Sequence, residues 1–80
     1  MSARAEALDH LVRGIVDDPE AVSVNEKSTR RGPLLEVRVG ADDLGRVIGR
    51  SGRTARALRT VTAALSEDDV RVDIVDVDRR

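Results

Sequence analysis

The sequence predicts an α+β domain, an α/β sandwich in which three helices cover one face of a three-stranded mixed sheet. Two hydrophobic periodicities support this fold class: apolar residues recur at helical spacing in three segments and alternate with polar residues in three others. Two glycines placed three residues apart separate the second and third helical segments. The predicted element order is α-β-β-α-(GxxG)-α-β.

The first half of the chain predicts a helix and a β-hairpin. Ser2 is a suitable N-cap residue, and Asp17, Asp18 and Pro19 end the helical pattern. Residues 21–27 alternate around two valines and residues 34–39 alternate again, which is typical of half-buried strands. Residues between them, from 28 to 33, have the composition of a turn.

The second half predicts a short helix, a long helix and a last strand. Asp42 and Asp43 can cap and charge the N-terminus of the short helix that contains Leu44, Val47 and Ile48. The long helix covers about residues 53–65, with one apolar face formed by Thr54, Leu58, Val61 and Leu65.

An acidic loop, residues 66–69, precedes the third strand. Residues 76–80 are predicted to be a frayed tail of the single domain, residues 1–80. The second and third strands would be parallel and joined by a right-handed crossover. The predicted core collects the apolar faces of all elements: Leu8, Leu11, Val12, Ile15, Leu35, Val37, Leu44, Val47, Leu58, Val61, Leu65, Val72 and Ile74.

Composition limits the functional classes. The 80 residues suffice for one small domain, and the absence of cysteine excludes disulfides and thiolate metal sites. The single histidine, His10, is expected to be a solvated surface residue, so we predict neither a metal nor a cofactor. No apolar run reaches the length of a membrane span and no signal peptide is visible, so a cytoplasmic protein without a membrane partner is expected.

Charge is distributed unevenly along the chain. Residues 44–66 contain five arginines and no acidic residue, so this segment carries +5 although the net charge of the chain is −1. A basic patch on an acidic body can bind a polyanion locally. The chain has no aromatic residue, which excludes the ring stacking used by RRM and OB-fold proteins.

The two paired glycines, Gly49 and Gly52, frame the centre of this basic segment. Glycine permits a sharp turn and a close approach of a foreign backbone. Arg50, Ser51 and Arg53 add two cations, a hydroxyl and backbone N–H groups at a helix N-terminus, a combination that suits a phosphate.

Residues 48–52, Ile-Gly-Arg-Ser-Gly, resemble the I-G-x-x-G signature of the KH domain, a binder of single-stranded nucleic acid whose GxxG loop clamps a backbone. Residues 52–61 resemble, more narrowly, the small bacterial single-KH proteins of the KhpA type. The predicted element order is that of a type II KH domain. The resemblance covers nearly the whole chain, although its specific motif spans only about residues 44–61.

This resemblance implies binding of single-stranded RNA, in a groove that takes about four nucleotides. Val47, Ile48 and Ala55 would offer an aliphatic floor to the bases, and the third strand near residues 70–74 would be the opposite wall. The expected RNA-binding residues are Arg46, Val47, Ile48, Gly49, Arg50, Ser51, Gly52, Arg53, Ala55 and Arg56. The acidic residues 67–69 border the expected groove and could repel a phosphate backbone.

The resemblance also implies partners and a physiological role. KhpA-like proteins pair with themselves or with a larger KH protein of the KhpB/Jag type. A homodimer or such a heterodimer is therefore expected, with the helix after the GxxG loop as the first candidate for its surface. The implied function is that of an RNA chaperone or post-transcriptional regulator that influences cell-wall and cell-shape homeostasis.

Three other functional classes compete with RNA binding. A DNA-binding helix-turn-helix protein would also have an arginine-rich second helix, although three strand patterns argue against it. An enzyme is disfavoured, because the phosphate-loop spacing is missing and no nucleophile–base pair or other catalytic residue is visible. A protein-interaction module would keep the fold and lose nothing when the GxxG loop becomes acidic.

Three smaller questions stay open from the sequence. Gly45 lies inside the short helix either because the helix packs closely against the sheet or because a ligand needs room there. Arg30 and Arg31 are interpreted as a solvated hairpin tip, with contact to a distant phosphate as the alternative. Arg56 and Arg59 can be read as the wet face of an amphipathic helix.

Overall fold

The computed structural model describes residues 2–78, and in that range the chain forms three α-helices and a three-stranded sheet. The helices are α1 (Ala3–Arg13), α2 (Leu44–Ile48) and α3 (Arg53–Ala64), and the strands are β1 (Ser23–Thr29), β2 (Gly32–Val39) and β3 (Arg71–Asp76). Short 3₁₀ turns occupy Pro19–Ala21, Ala41–Asp43 and Arg50–Gly52. The predicted fold class and element order are confirmed.

The sheet has the order β1-β2-β3. β1 and β2 are antiparallel, with Val24 opposite Val37, whereas β2 and β3 are parallel, with Leu35 opposite Val72. A parallel pair needs a long crossover, and α2 with α3 forms it. α1 contacts β1 and α3, and α2 contacts α3 and β3.

The hairpin between β1 and β2 is tighter than the composition suggested. Only Arg30 and Arg31 lie outside the strands, because Thr29 pairs with Gly32. The Thr29 hydroxyl accepts the Arg31 N–H at 3.2 Å and donates to the Gly32 carbonyl at 2.7 Å. These local bonds and the positive φ of Gly32, 104°, close the turn with two residues instead of six.

α1 begins where the sequence predicts and ends earlier. The Ser2 hydroxyl accepts the Ala5 N–H at 3.2 Å, as an N-cap does. The helix ends at Arg13, before the predicted stop at Pro19, and Ile15 lies half-buried in the segment that follows.

The core lies between the helices and one sheet face. Its buried residues are Ala5, Leu8, Val12, Val22, Val24, Leu35, Val37, Val39, Val47, Leu58 and Val72. Three residues of the predicted core are exposed instead: Leu11, Val61 and Leu65, with 38, 42 and 56% of their surfaces accessible. The prediction was therefore wrong for these three positions.

The difference on α3 is a rotation of its buried face. Ala55, Leu58 and Thr62 point into the protein, whereas Val61 and Leu65 do not. Thr62 tolerates burial because its hydroxyl donates to the Leu58 carbonyl at 2.7 Å. Hydropathy alone ranks a threonine below a valine, so the sequence pattern selected the wrong side of the helix.

Asp43 has a structural role that differs from the predicted one. Its side chain is 3% exposed and makes no capping bond to α2. Its two carboxylate oxygens accept the N–H groups of Asp17 and Asp18, each at 3.1 Å. The carboxylate thus ties the segment after α1 to the start of α2.

The sheet extends into the predicted tail. Asp76 is the last residue of β3, and the Val77 N–H donates to the carbonyl of buried Val39 at 2.8 Å. The expectation of fraying from residue 76 is therefore corrected for these two residues. Residues 79 and 80 lie outside the described part of the chain.

Replacing Asp43 should destabilise the domain. Asp43→Ala leaves the partly buried N–H groups of Asp17 and Asp18 without their acceptor, and we expect the free energy of unfolding to fall by about 1–2 kcal/mol in urea denaturation. Asp42→Ala is the matched control, because Asp42 is exposed, and it should cost less than about 1 kcal/mol. Equal losses for the two variants would contradict the role assigned to Asp43.

Candidate nucleic-acid interface

The GxxG loop is the junction between α2 and α3, and Gly49 sets its shape. Gly49 has φ 79° and ψ 169°, a region of backbone conformation that is essentially restricted to glycine. A Cβ atom at this position would also lie 2.8 Å from the backbone nitrogen of Thr54. Both its conformation and its contact with α3 therefore require glycine.

The two residues before α3 are left-handed. Gly52 has φ 74° and ψ 16°, and a Cβ there would meet no atom within 4 Å, so only its conformation favours glycine. Ser51 has φ 54° and is the one non-glycine residue with positive φ among residues 2–78. Such strain is held by the surrounding structure and is common at ligand-binding loops.

The loop uses two of its own backbone donors. The Gly52 N–H donates to the Gly49 carbonyl at 3.1 Å, and the Arg53 N–H donates to the Arg50 carbonyl. These two N–H groups are thus not available to a phosphate, contrary to the expectation from the sequence. The N–H groups of Arg50 and Ser51 make no hydrogen bond within residues 2–78.

The arginines around the loop fall into two groups. Arg50 and Arg53 are exposed, and neither side chain makes a hydrogen bond or ion pair within the described range. Arg56 donates from Nη2 to the Ser51 carbonyl at 3.2 Å and so braces the loop. Arg46 is paired with Asp17 at 2.7 Å, which raises the pKa of the Arg46 guanidinium.

The predicted aliphatic floor is mostly inside the core. Val47 is fully buried and Ala55 is 4% exposed, so neither can offer much surface to a base. Ile48 is 37% exposed and presents apolar surface beside the loop. Burial therefore argues against Val47 and Ala55 as part of an aliphatic floor.

Gly45 is not explained by close packing. A Cβ atom at this position would meet nothing within 4 Å, and the residue is exposed. The first of the two open interpretations is thereby excluded.

Arg4 of α1 ties the acidic loop to the first helix, although the loop itself stays exposed. The Arg4 side chain is 13% exposed and contacts Asp68 at 2.6 Å and Glu26 at 2.9 Å. The bonds from Arg4 and Ser2 lower the pKa of Glu26, and the bonds to both carboxylates raise the pKa of Arg4. Asp68 therefore has a cationic partner within the protein, so part of the negative charge of the acidic loop is compensated by Arg4.

A concave site of about 440 Å³ lies at the N-terminal end of β3. It is lined by Leu34, Arg59, Val70, Arg71, Val72 and Asp73. None of the ten predicted RNA-binding residues lines it, although its β3 residues coincide with the predicted opposite wall. Sequence analysis missed Leu34 and Arg59 here, because only the crossover brings α3 beside the first residues of β3.

No group of metal-ligating side chains occurs within residues 2–78, and none of the described helices is long and apolar enough to cross a membrane.

Comparison with known proteins identifies the family. The model of the KhpA/KhpB KH domain matches residues 5–77 of the chain. The chain belongs to this family. RNA-binding protein KhpA of Streptomyces coelicolor is 66% identical over 73 residues, which cover 91% of this chain and 92% of the relative. RNA-binding protein KhpA of Mycobacterium bovis is 55% identical over 74 residues, which cover 92% of each.

A more distant relative is also an RNA-binding protein KhpA. RNA-binding protein KhpA of Halalkalibacterium halodurans is 40% identical over 72 residues, which cover 86% of this chain and 95% of the relative. The predicted KH resemblance is thus confirmed, and RNA binding is the function that the KhpA/KhpB family supports. An RNA-binding family of this kind is not an enzyme class.

Three glycine-to-alanine variants should separate the cost of an unfavourable backbone conformation from the cost of a steric clash. Gly49→Ala should lower the free energy of unfolding by more than about 3 kcal/mol, because strain and the contact with Thr54 act together. Gly52→Ala should cost about 1 kcal/mol, because only the left-handed conformation opposes the side chain. Thermal and urea denaturation would measure both.

Gly45→Ala is the control, because it lies in a helix and has room for a methyl group. We expect it to stabilise the domain by up to about 1 kcal/mol. A loss at Gly45 equal to that at Gly49 would contradict this account of the loop.

Proposed function

We propose that the chain binds single-stranded RNA through the GxxG loop, as a phosphate clamp. The observation that carries the proposal is the combination of a strained loop backbone with two exposed arginines that have no partner within residues 2–78, Arg50 and Arg53. Arginines of this kind give up no internal ion pair when a phosphate arrives. The shared family supports RNA as the partner.

The clamp uses three kinds of group. The guanidinium groups of Arg50 and Arg53 supply charge, and the N–H groups of Arg50 and Ser51 supply directed donors. Gly52, with no atom within 4 Å of its missing Cβ, lets the sugar-phosphate backbone approach. Ile48 gives a base one apolar surface beside the phosphates.

Arg46 can bind a phosphate of the RNA only if it gives up its ion pair with Asp17. Its ion pair with Asp17 is solvated, since 80% of the Asp17 side chain and 48% of the Arg46 side chain are exposed. Exposed pairs of this kind contribute little free energy, so a phosphate can replace the carboxylate. Arg56 stays at the Ser51 carbonyl and supports the loop from behind.

The number of available cations sets the affinity. Two or three neutralised phosphates on a single strand predict a slope of about −1.5 to −2 for log K against log salt concentration. Binding by the lone domain should accordingly be weak at physiological salt. Pairing of two KH modules on one RNA would raise the apparent affinity through effective concentration.

The clamp can be tested with Arg50→Asp combined with Ser51→Asp. Both positions are exposed, and aspartate tolerates the left-handed conformation of residue 51. Fluorescence anisotropy with a labelled single-stranded RNA at low and moderate salt should show at least a tenfold loss of affinity, with an unchanged circular dichroism spectrum.

Arg30→Asp combined with Ser28→Asp is the matched control, because it changes the net charge equally at the far hairpin. It should bind RNA almost as the wild type does. Equal losses of RNA affinity in both double variants would show a general charge effect and would contradict the proposed clamp. No loss in either would favour the protein-interaction module, and a preference for duplex DNA in competition would favour the helix-turn-helix alternative.

We also propose that α3 forms a dimer surface. Its solvent side carries Ala57, Val61, Ala64 and Leu65 at helical spacing, and all four are exposed. Small and branched apolar residues in such a stripe allow two helices to pack closely. The partner would be a second copy of the chain or a larger KH protein of the KhpB/Jag type.

Val61→Asp should convert a dimer into a monomer, because a carboxylate cannot be buried unpaired at a helix–helix contact. Light scattering after size-exclusion chromatography would measure the mass. Val77→Asp is the control, since Val77 is also 42% exposed but lies in the turn after β3 and not on α3. A wild type that stays monomeric at millimolar concentration would contradict self-association.

A role as an RNA chaperone in cell-wall and cell-shape homeostasis remains a prediction from the family resemblance. A clamp with few phosphate contacts fits such a role, because weak and sequence-tolerant binding permits rapid exchange of RNA strands.

A further inference from the structure

Arg46 lies between two carboxylates of different kinds. Its Nη1 atom contacts Asp17 Oδ2 at 2.7 Å and Asp43 Oδ1 at 3.8 Å. The Asp43 carboxylate is buried and already accepts two backbone N–H groups. The Asp17 side chain is 80% exposed. The Asp17 carboxylate is therefore the partner that a ligand of Arg46 has to displace.

The buried carboxylate also fixes the position of Asp17. Asp43 Oδ1 accepts the backbone N–H of Asp17, and its Oδ2 accepts that of Asp18, each at 3.1 Å. These bonds hold the segment after α1 against the start of α2, so the Asp17 side chain stays near Arg46 even when the ion pair opens. A group tethered in this way acts at an effective concentration on the order of millimolar or higher.

Arg46 lies on the part of α2 that leads into the GxxG loop. It precedes Gly49 by three residues, and residues three apart along a helix are neighbours. Its side chain is 48% exposed, and a Cβ atom at the adjacent Gly45 would meet nothing within 4 Å. The surface around Arg46 is therefore open to an RNA phosphate next to the loop, and Asp17 competes with that phosphate.

We propose that Asp17 is an intramolecular competitor of RNA, which limits the affinity of the GxxG clamp by occupying Arg46. In the free protein the carboxylate takes the place of one phosphate, and the ion pair must open before that phosphate binds. After the exchange, the displaced carboxylate repels the bound strand. This inference deepens the proposed RNA binding and rests on it. Asp17 sets the affinity without itself holding RNA.

Asp17→Asn tests this competition, because it removes the charge and nearly keeps the shape of the side chain. Binding of a labelled single-stranded RNA is measured by fluorescence anisotropy over a range of salt concentrations. We expect a gain in affinity of about two- to fivefold at low salt, the range that corresponds to an exposed ion pair. Release of Arg46 adds one phosphate contact, so the slope of log K against log salt concentration should steepen by about 0.7.

Asp42→Asn is the matched control. It removes the same charge from the turn that leads into α2, and the exposed Asp42 side chain makes no hydrogen bond or ion pair within residues 2–78. It should gain less affinity than Asp17→Asn and leave the slope unchanged. Equal gains and equal slopes in the two variants would show an effect of overall charge and would overturn the proposal.

An Arg46→Gln background separates competition for Arg46 from direct repulsion of the strand by Asp17. Without Arg46 no further phosphate contact can be gained, so Asp17→Asn should leave the salt slope unchanged there. A purely structural role of Asp17 would not make the slope depend on Arg46. A slope that steepens equally with and without Arg46 would overturn the proposal.

Failure of this inference can be told apart from failure of the clamp. A loss of affinity in the Arg50→Asp, Ser51→Asp variant together with no gain from Asp17→Asn would retain the clamp and overturn the competition. An unchanged affinity in that double variant would refute the clamp, and the competition for it as well. Absence of RNA binding by both the wild type and Asp17→Asn at low salt would also overturn the proposal.

Discussion

The backbone turn at Gly49 determines where the rest of the second half lies. Because this residue adopts a conformation that only glycine reaches easily, and because Thr54 packs directly against it, α3 starts at a fixed angle to α2. The angle places α3 on the sheet with Leu58 in the core. The same turn leaves Arg50 and Ser51 at the surface. The backbone conformation that strains the loop therefore also exposes the groups proposed to bind a phosphate.

Identical arginine side chains perform different tasks according to their neighbours. Arg4 is covered and binds two carboxylates, which holds the acidic loop against α1. Arg59 binds a carbonyl of β3, and Arg56 binds a carbonyl of the loop. The side chains of Arg50 and Arg53 make no hydrogen bond or ion pair within residues 2–78. A positive charge is thus most readily available to a ligand where the fold supplies no acceptor, and the local density of arginines does not show where that is.

Several sequence predictions failed for related physical reasons. Asp43 precedes α2 and was expected to cap it, but burial directs its carboxylate to two distant N–H groups after α1. Val61 follows the apolar period of α3, yet Thr62 is buried instead because its hydroxyl is satisfied within the helix. Val47, expected to touch bases, is needed by the core. For Asp43 and Val47 the choice depends on contacts between segments far apart in the chain, and for Thr62 it depends on a side-chain bond within the helix; hydrophobic periodicity contains neither.

The sequence by itself determined the fold class, the order of the elements and the position of the GxxG loop, because these follow from residue periodicity and from glycine chemistry. It also determined that the basic charge is concentrated in residues 44–66. Only the tertiary structure decided which arginines remain available and which are bound by carboxylates or carbonyls. It alone also brought Arg59 and Asp73 to the same concave site, since the crossover places α3 next to the first residues of β3 and no sequence pattern specifies that placement.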